Sequence, residues 1–142
     1  MVETSFFRGI IVAMTIDDLQ KRLEKMTGEL SGLLAAGLVS VDDGLNIASH
    51  SLDPTIDAAV PAAYLSALVK TNLRAMSVLA EDETMEDIVV STGSARFLAR
   101  YEIGQPFFLF LMTKNTTWLG KSRALLDRYH ANFTALLREC LQ

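Results

Sequence analysis

The chain has 142 residues and a net charge of −4; half of its residues are hydrophobic and 21% are charged. That is the length of one ordinary domain, with a globular rather than a disordered composition. Its 13 lysines and arginines do not cluster, so the dense basic patch that a nucleic-acid surface needs to displace counterions is missing.

Residues 1–15 read as an N-terminal extension and residues 16–142 as the domain proper. In MVETSFFRGIIVAMTI, Arg8 and the apolar residues after it suggest a signal peptide. The run is too short, however, and no small-residue cleavage site follows. No window approaches the ~18 apolar residues that cross a bilayer, so the expectation is a soluble, cytoplasmic protein without membrane insertion. Two readings of the extension stay open: FFRGIIV is a docking strand, or Met14 is the true start.

From Ile16 the spacing turns helical. Ile16, Leu19, Leu23, Met26 and Leu30 recur every three or four residues and make one stripe. Thr15 with Asp18 resembles a capping box, Gly28 weakens the last turn, and Gly32 ends it. Residues 33–41, LLAAGLVSV, are apolar without alternation, which predicts a strand covered on both faces. Asp42, Asp43 and Gly44 follow. Two adjacent carboxylates raise the possibility of a metal or catalytic site, but Asp-Gly between two strand-like runs is a hairpin signal. The next strand, LNIASHS, has a more polar face and belongs nearer an edge.

Residues 55–80 are helical in composition, with Pro54 and Pro61 near the start, where a missing N–H is tolerated. Wound at 100° per residue, Ser66, Lys70, Arg74 and Ser77 share one polar arc of roughly 80°. Most of the rest is apolar or small, including Val60, Tyr64, Leu65, Leu68, Val69, Leu73, Met76 and Leu79. A helix lying on one sheet needs an apolar stripe only somewhat wider than ~100°. This one covers about twice that, which calls for a second partner, another element or another chain.

Residues 81–87, EDETMED, read as a solvated acidic loop, and a second hairpin follows. In it Phe97, Ala99, Tyr101 and Ile103 alternate with Arg96, Leu98, Arg100 and Glu102; the two arginines read as a solvated face. FFLFLMT, residues 107–113, is a second fully apolar strand. The chain ends in a long amphipathic helix capped by Thr116 or Thr117, with Trp118, Leu125, Leu126, Tyr129, Phe133, Leu136 and Leu137 on one face. The expected class is α+β: a five-stranded, mainly antiparallel sheet with helices on both faces, in the order helix, two strands, helix, three strands, helix. Strands 33–41 and 107–113 belong at its centre.

No catalytic constellation is present. His50 and His130 sit on different elements without metal-ligand spacing and read as surface or half-buried residues. Cys140 permits no internal disulfide and reads as helix packing in a reducing compartment. LGKSRA contains Gly-Lys-Ser, but Asn115 stands where a phosphate loop needs its first glycine. The acidic loop lacks the pattern of a calcium site. The sequence therefore assigns no residue to catalysis, to a cofactor or to a metal.

Taken in order, LLAAGLVSVDDGLNIAS, the small-residue helix AAYLSALVKTNLRAMSVLA, the hairpin IVVSTGSARFLARY and the junction LMTKNTTWLGKSRALL resemble the roadblock/dynein light-chain family, prokaryotic type, over about residues 16–140. The resemblance implies a dimer in which the middle helix packs on its mate and an edge strand pairs across, with residues 85–92 as the strand to test. Tyr64, Leu65, Leu68, Leu73, Met76, Ile88 and Val90 would then form the dimer interface, and Lys70, Arg74 and Ser77 a partner surface. Prokaryotic members accompany a small Ras-like GTPase as regulators or adaptors; eukaryotic relatives serve dynein and lysosomal signalling scaffolds. The implied function is thus a non-enzymatic homodimeric regulator or adaptor of such a GTPase, without a cofactor. The alternative is a small-molecule-sensing or scaffold domain of the profilin-like or PAS kind, which needs an internal pocket with convergent polar groups.

Overall fold

The structure, a computed structural model, describes residues 2–79, 82 and 87–141, with the side chains of 15–79, 82 and 87–138. Its elements run α1 (Val2–Thr27), β1 (Leu33–Ser40), β2 (Asn46–Ser51), α2 (Ala59–Leu79), β3 (Asp87–Ser91), β4 (Ala95–Arg100), β5 (Phe107–Lys114) and α3 (Leu119–Leu141). The strands form one antiparallel sheet in the order β2-β1-β5-β4-β3. The α+β architecture and element order are those expected, and the two fully apolar segments lie inside the sheet, with β5 at its centre.

Alternation along β5 divides the core in two. Phe107, Leu109 and Leu111 join Leu19, Leu23 and Met26 of α1 and Leu126 and Phe133 of α3. Phe108 and Phe110 turn the other way, onto Ala62, Leu65 and Val69 of α2. All these side chains are buried, each contributing roughly 1.5–3 kcal/mol for the larger ones. Helices α1 and α3 therefore share one face, and α2 lies alone on the other.

Several local expectations are corrected. Residues 2–14 continue α1, so they are not a strand, and Thr15 lies inside the helix rather than capping it. Trp118 is 76% exposed instead of facing the core. The cap position of α3 is Trp118, whose carbonyl accepts from Ser122 N at 3.2 Å, rather than Thr116 or Thr117; the Thr117 hydroxyl donates to Ser31 O at 3.3 Å. Of the acidic stretch, residues 81 and 83–86 lie outside the described residues. Asp87 is no solvated loop residue: its carboxylate is buried against Arg100 Nε at 2.5 Å and Arg123 Nε at 3.3 Å. Arg100 also reaches Asp127. Arg96 donates to the carbonyls of Thr117 at 2.7 Å and Asn115 at 3.4 Å. The expected solvated face of β4 is thus a set of internal anchors. The side chain of Cys140 lies outside those described.

Gly37 sits where β1 meets β5, opposite Phe110. A Cβ there would lie 2.4 Å from the Phe110 ring and 2.6 Å from Asn46 Oδ1. The ring is fully buried and has nowhere to move. Gly37→Ala should therefore cost about 1–3 kcal/mol, read as a Tm lowered by several degrees.

His130 is buried, not surface or half-buried, and its ring centroid stands 5.6 Å from that of Phe107. Its Nε2 has no hydrogen-bond partner. Burial, and then the charge of Arg100, hold its pKa below the usual value, partly opposed by Glu102, Asp87 and Asp127. Above about pH 6.5 both folded and unfolded chains are neutral there; below it the unfolded chain takes the proton first. Stability should accordingly decline as pH falls from about 6.5 through the lower folded pKa. Melting curves from about pH 7.5 to about pH 5 should show a smaller decline for His130→Phe than for the wild type.

Candidate interaction surface

The β1–β2 turn answers the question of the paired aspartates. Ser40 N donates to Leu45 O and Gly44 N to Ser40 O, both at 2.9 Å, and Gly44 has φ +71°, a value that glycine takes without strain. Asp43 Oδ1 accepts from Leu45 N at 3.0 Å, an Asx turn. Asp42 offers its carbonyl oxygen to Lys70 Nζ at 2.8 Å. Among the described residues no group of three His, Cys, Asp or Glu side chains could hold a metal ion, and no helix is long and apolar enough to cross a membrane. Ser122, of the Gly-Lys-Ser run, is buried in the first turn of α3 and donates to Trp118 O at 3.4 Å.

What stands out instead is the outer side of α2. Val60, Tyr64, Ala67, Thr71, Arg74 and Val78 are all exposed, and their spacing alternates four and three. That is a heptad seam, the pattern with which one helix packs along another. It is apolar or small except for Thr71 and Arg74, although no described residue of its own chain covers it. Beside it, Ile56, Val60, Pro61, Tyr64, Phe97 and Met112 line an apolar groove of about 330 Å³. Tyr64 meets Phe97 edge to face, with centroids 6.1 Å apart. The Val90–Phe97–Met112 row carries this strip across β3, β4 and β5.

Beyond the strip, no described strand lies beside the outer side of β3. The pair closing the β3–β4 turn, Thr92 N to Ala95 O at 2.8 Å, sets the alternation. Ile88 and Val90 turn their backbone groups to β4; Asp87, Val89 and Ser91 turn theirs outward.

The residues singled out from the sequence divide accordingly. Tyr64 is on the seam, and Ile88 and Val90 are half-buried on the edge strand. Leu65 is fully buried in its own core, so it presents nothing to a partner. Leu68 and Leu73 are half-buried and pack on that same core, and Met76 is also half-buried. Arg74 belongs to the seam. Lys70 is tied to Asp42, and the Ser77 hydroxyl donates to Arg74 O at 2.8 Å. Ser66, expected to face solvent, is buried against Gly44, where a Cβ would come within 3.2 Å of its hydroxyl. Val60, Ala67, Thr71 and Val78 of the seam were not singled out from the sequence, because wide apolar character hid the narrower four-three repeat.

No known family model matches the chain, and no curated protein does. Solved structures do. A Streptomyces avermitilis roadblock/LC7 domain aligns over 87% of this chain and 98% of its own at 17% identity, TM-score 0.72. Myxococcus xanthus MglB aligns over 91% and 92% at 18% identity, TM-score 0.72. An MglB with a tetrameric arrangement aligns over 89% and 92% at 16% identity, TM-score 0.76. The chain has the roadblock/LC7 fold. Within that fold, among the described residues, α2 has the exposed outer side and β3 is the sheet edge next to β4.

Proposed function

We propose that the chain is a non-enzymatic homodimeric regulator or adaptor of a small Ras-like GTPase. The observation that carries the dimer is the exposed heptad seam of α2, continuous with the unpaired edge of β3. The GTPase rests on the roadblock resemblance, and MglB among the similar structures supports it. The sensor alternative needs an internal pocket with convergent polar groups; the groove beside α2 is open and almost wholly apolar, which suits a protein face better.

The seam proposes its own register. Laid antiparallel on a second copy about a two-fold axis, its six positions match end to end: Val60 on the partner's Val78, Tyr64 on the partner's Arg74, Ala67 on the partner's Thr71. The small central pair lets the helices approach closely. Each Tyr64 receives a guanidinium over its ring, worth about 0.5–2 kcal/mol. Ile88 and Val90 would then continue the contact through the paired β3 edges. Lys70 and Ser77 flank the seam and remain the proposed contact for the GTPase; Lys70 must leave Asp42 to reach it.

Sedimentation at micromolar concentration should show a dimer; a wild-type monomer there would sink this reading. Arg74→Glu should weaken the dimer by about tenfold while leaving the melting of the monomer near wild type. The exchange Tyr64→Arg with Arg74→Tyr should restore most of that loss, which a parallel or unrelated contact would not. For the partner, a Ras-like GTPase should be retained from the native cell by the wild type and lost with Lys70→Glu.

A further inference from the structure

The sheet has a second edge, β2, and there the outward backbone is met by a side chain. Leu52 N donates to Leu34 O at 2.8 Å, so by the alternation of an antiparallel ladder His50 and Ala48 turn their backbone groups towards β1, and Ser49 turns its N–H and C=O away from the sheet. Gln20 of α1 engages both: its Nε2 donates to Ser49 O at 2.7 Å and its Oε1 accepts from Ser49 N at 3.1 Å. A primary amide offers the donor and acceptor of a peptide unit. Gln20 therefore stands where the backbone of a sixth strand would pair.

The side chain is well placed for this. Leu19 and Leu23, on either side in sequence, are fully buried and hold that turn of α1 against the sheet. Gln20 Nε2 also donates to Glu24 Oε1 at 3.2 Å. The strand adds a hindrance of its own, because its register with β1 slips between Leu38 and Val39, and a bulge spoils an edge as a template. Edge β3 is the reverse: its five pairs with β4 are regular, and among the described residues no side chain bonds its outward backbone groups.

We infer that Gln20 is an edge plug: its amide closes β2 to sheet extension and leaves β3 as the edge on which a second copy of this chain adds. The inference takes β3 as the assembly edge from the reading above. A dimer joined at β3 carries one β2 at each end of its continuous sheet. Were those ends open, each would accept a further copy, and the closed dimer would become a growing ribbon.

The test compares wild type with Gln20→Leu, which keeps the bulk and loses both bonds, and with Val89→Pro, which blocks the β3 edge. The Val89 N–H points outward, so proline removes no bond to β4. Gln20→Leu should sediment with at least twice the wild-type mass, increasingly so with concentration, and at low concentration its Ser49 amide should exchange roughly five- to tenfold faster. Val89→Pro should be monomeric, and the double variant should associate again through β2. If Gln20→Leu does not fold, Gln20→Glu, which keeps the acceptor for Ser49 N–H and loses the donor to Ser49 O, should shift mass in the same direction. Wild-type mass in the folded Gln20 variants at every concentration, with Ser49 protection lost, would overturn the plug and leave Gln20 as an anchor of α1. A Val89→Pro protein of wild-type mass would instead refute β3 as the assembly edge; the plug is still judged by Gln20→Leu against wild type.

Discussion

The architecture depends on covering one central strand from both sides. β5 presents Phe108 and Phe110 to one face and Phe107, Leu109 and Leu111 to the other, all of them buried. Five strands spaced ~4.8 Å apart span about 19 Å, while a helix with its side chains is ~10 Å across. Two helices therefore suffice for one face, and one helix cannot cover the other. Helix α2 lies over β1, β5 and β4, and among the described residues it leaves the outer margin of its face only half covered. The apolar strip at Val90, Phe97 and Met112 follows from the count of helices, and the four-three seam on α2 extends it to the top of the layer.

A half-covered strip keeps its shape only if the strand at its margin is held in place. The arginines of β4 do this from below. Arg100 joins the start of β3, through Asp87, to α3, through Asp127, and Arg123 adds a second hold on Asp87. Burial works against the charge on Arg100, but its hydrogen bonds to Asp87 and then Asp127 outweigh this and raise its pKa. Replacing such a buried group by apolar residues is often neutral or favourable for stability, so its value here is geometric. Arg96 does the same at the other end, where its guanidinium bonds the carbonyls of the β5–α3 junction. Both residues spend their charge inside the molecule, and the β3–β4 ribbon gains two fixed ends.

The fold was legible because its signals are local and repeated. Apolar runs identified the inner strands, alternation placed Phe97, Ala99 and Tyr101 on one face, and Asp43-Gly44 marked a turn. The site was legible only in outline. Wide apolar character in residues 55–80 exceeded what one sheet can cover, yet did not say which side of the helix stays exposed. That depends on where α2 meets the β1–β2 turn, a contact between residues more than twenty positions apart. The same distance in sequence hid Gln20 on Ser49, and Arg96 on Thr117. Trp118 failed for another reason: helical periodicity was extended onto the residue that immediately precedes α3.

The hairpin tip then acquires a mechanical role. Ser66 packs against Gly44, and Lys70 holds the Asp42 carbonyl. Both lie on the polar arc of α2 that amphipathic reasoning assigns to water. Their contacts fix the rotation of the helix about its own axis. With Leu65 and Val69 beneath and the polar arc against the turn, the direction left free is the one along which Val60, Tyr64, Ala67, Thr71, Arg74 and Val78 lie. A side chain at position 44 would sit 3.2 Å from the Ser66 hydroxyl and carry the strain of a positive φ, so it would press on this contact while leaving the core residues chemically unchanged. The paired aspartates and their glycine thus help set the direction of the seam on the far side of the helix, by steric contact and one lysine–carbonyl bond.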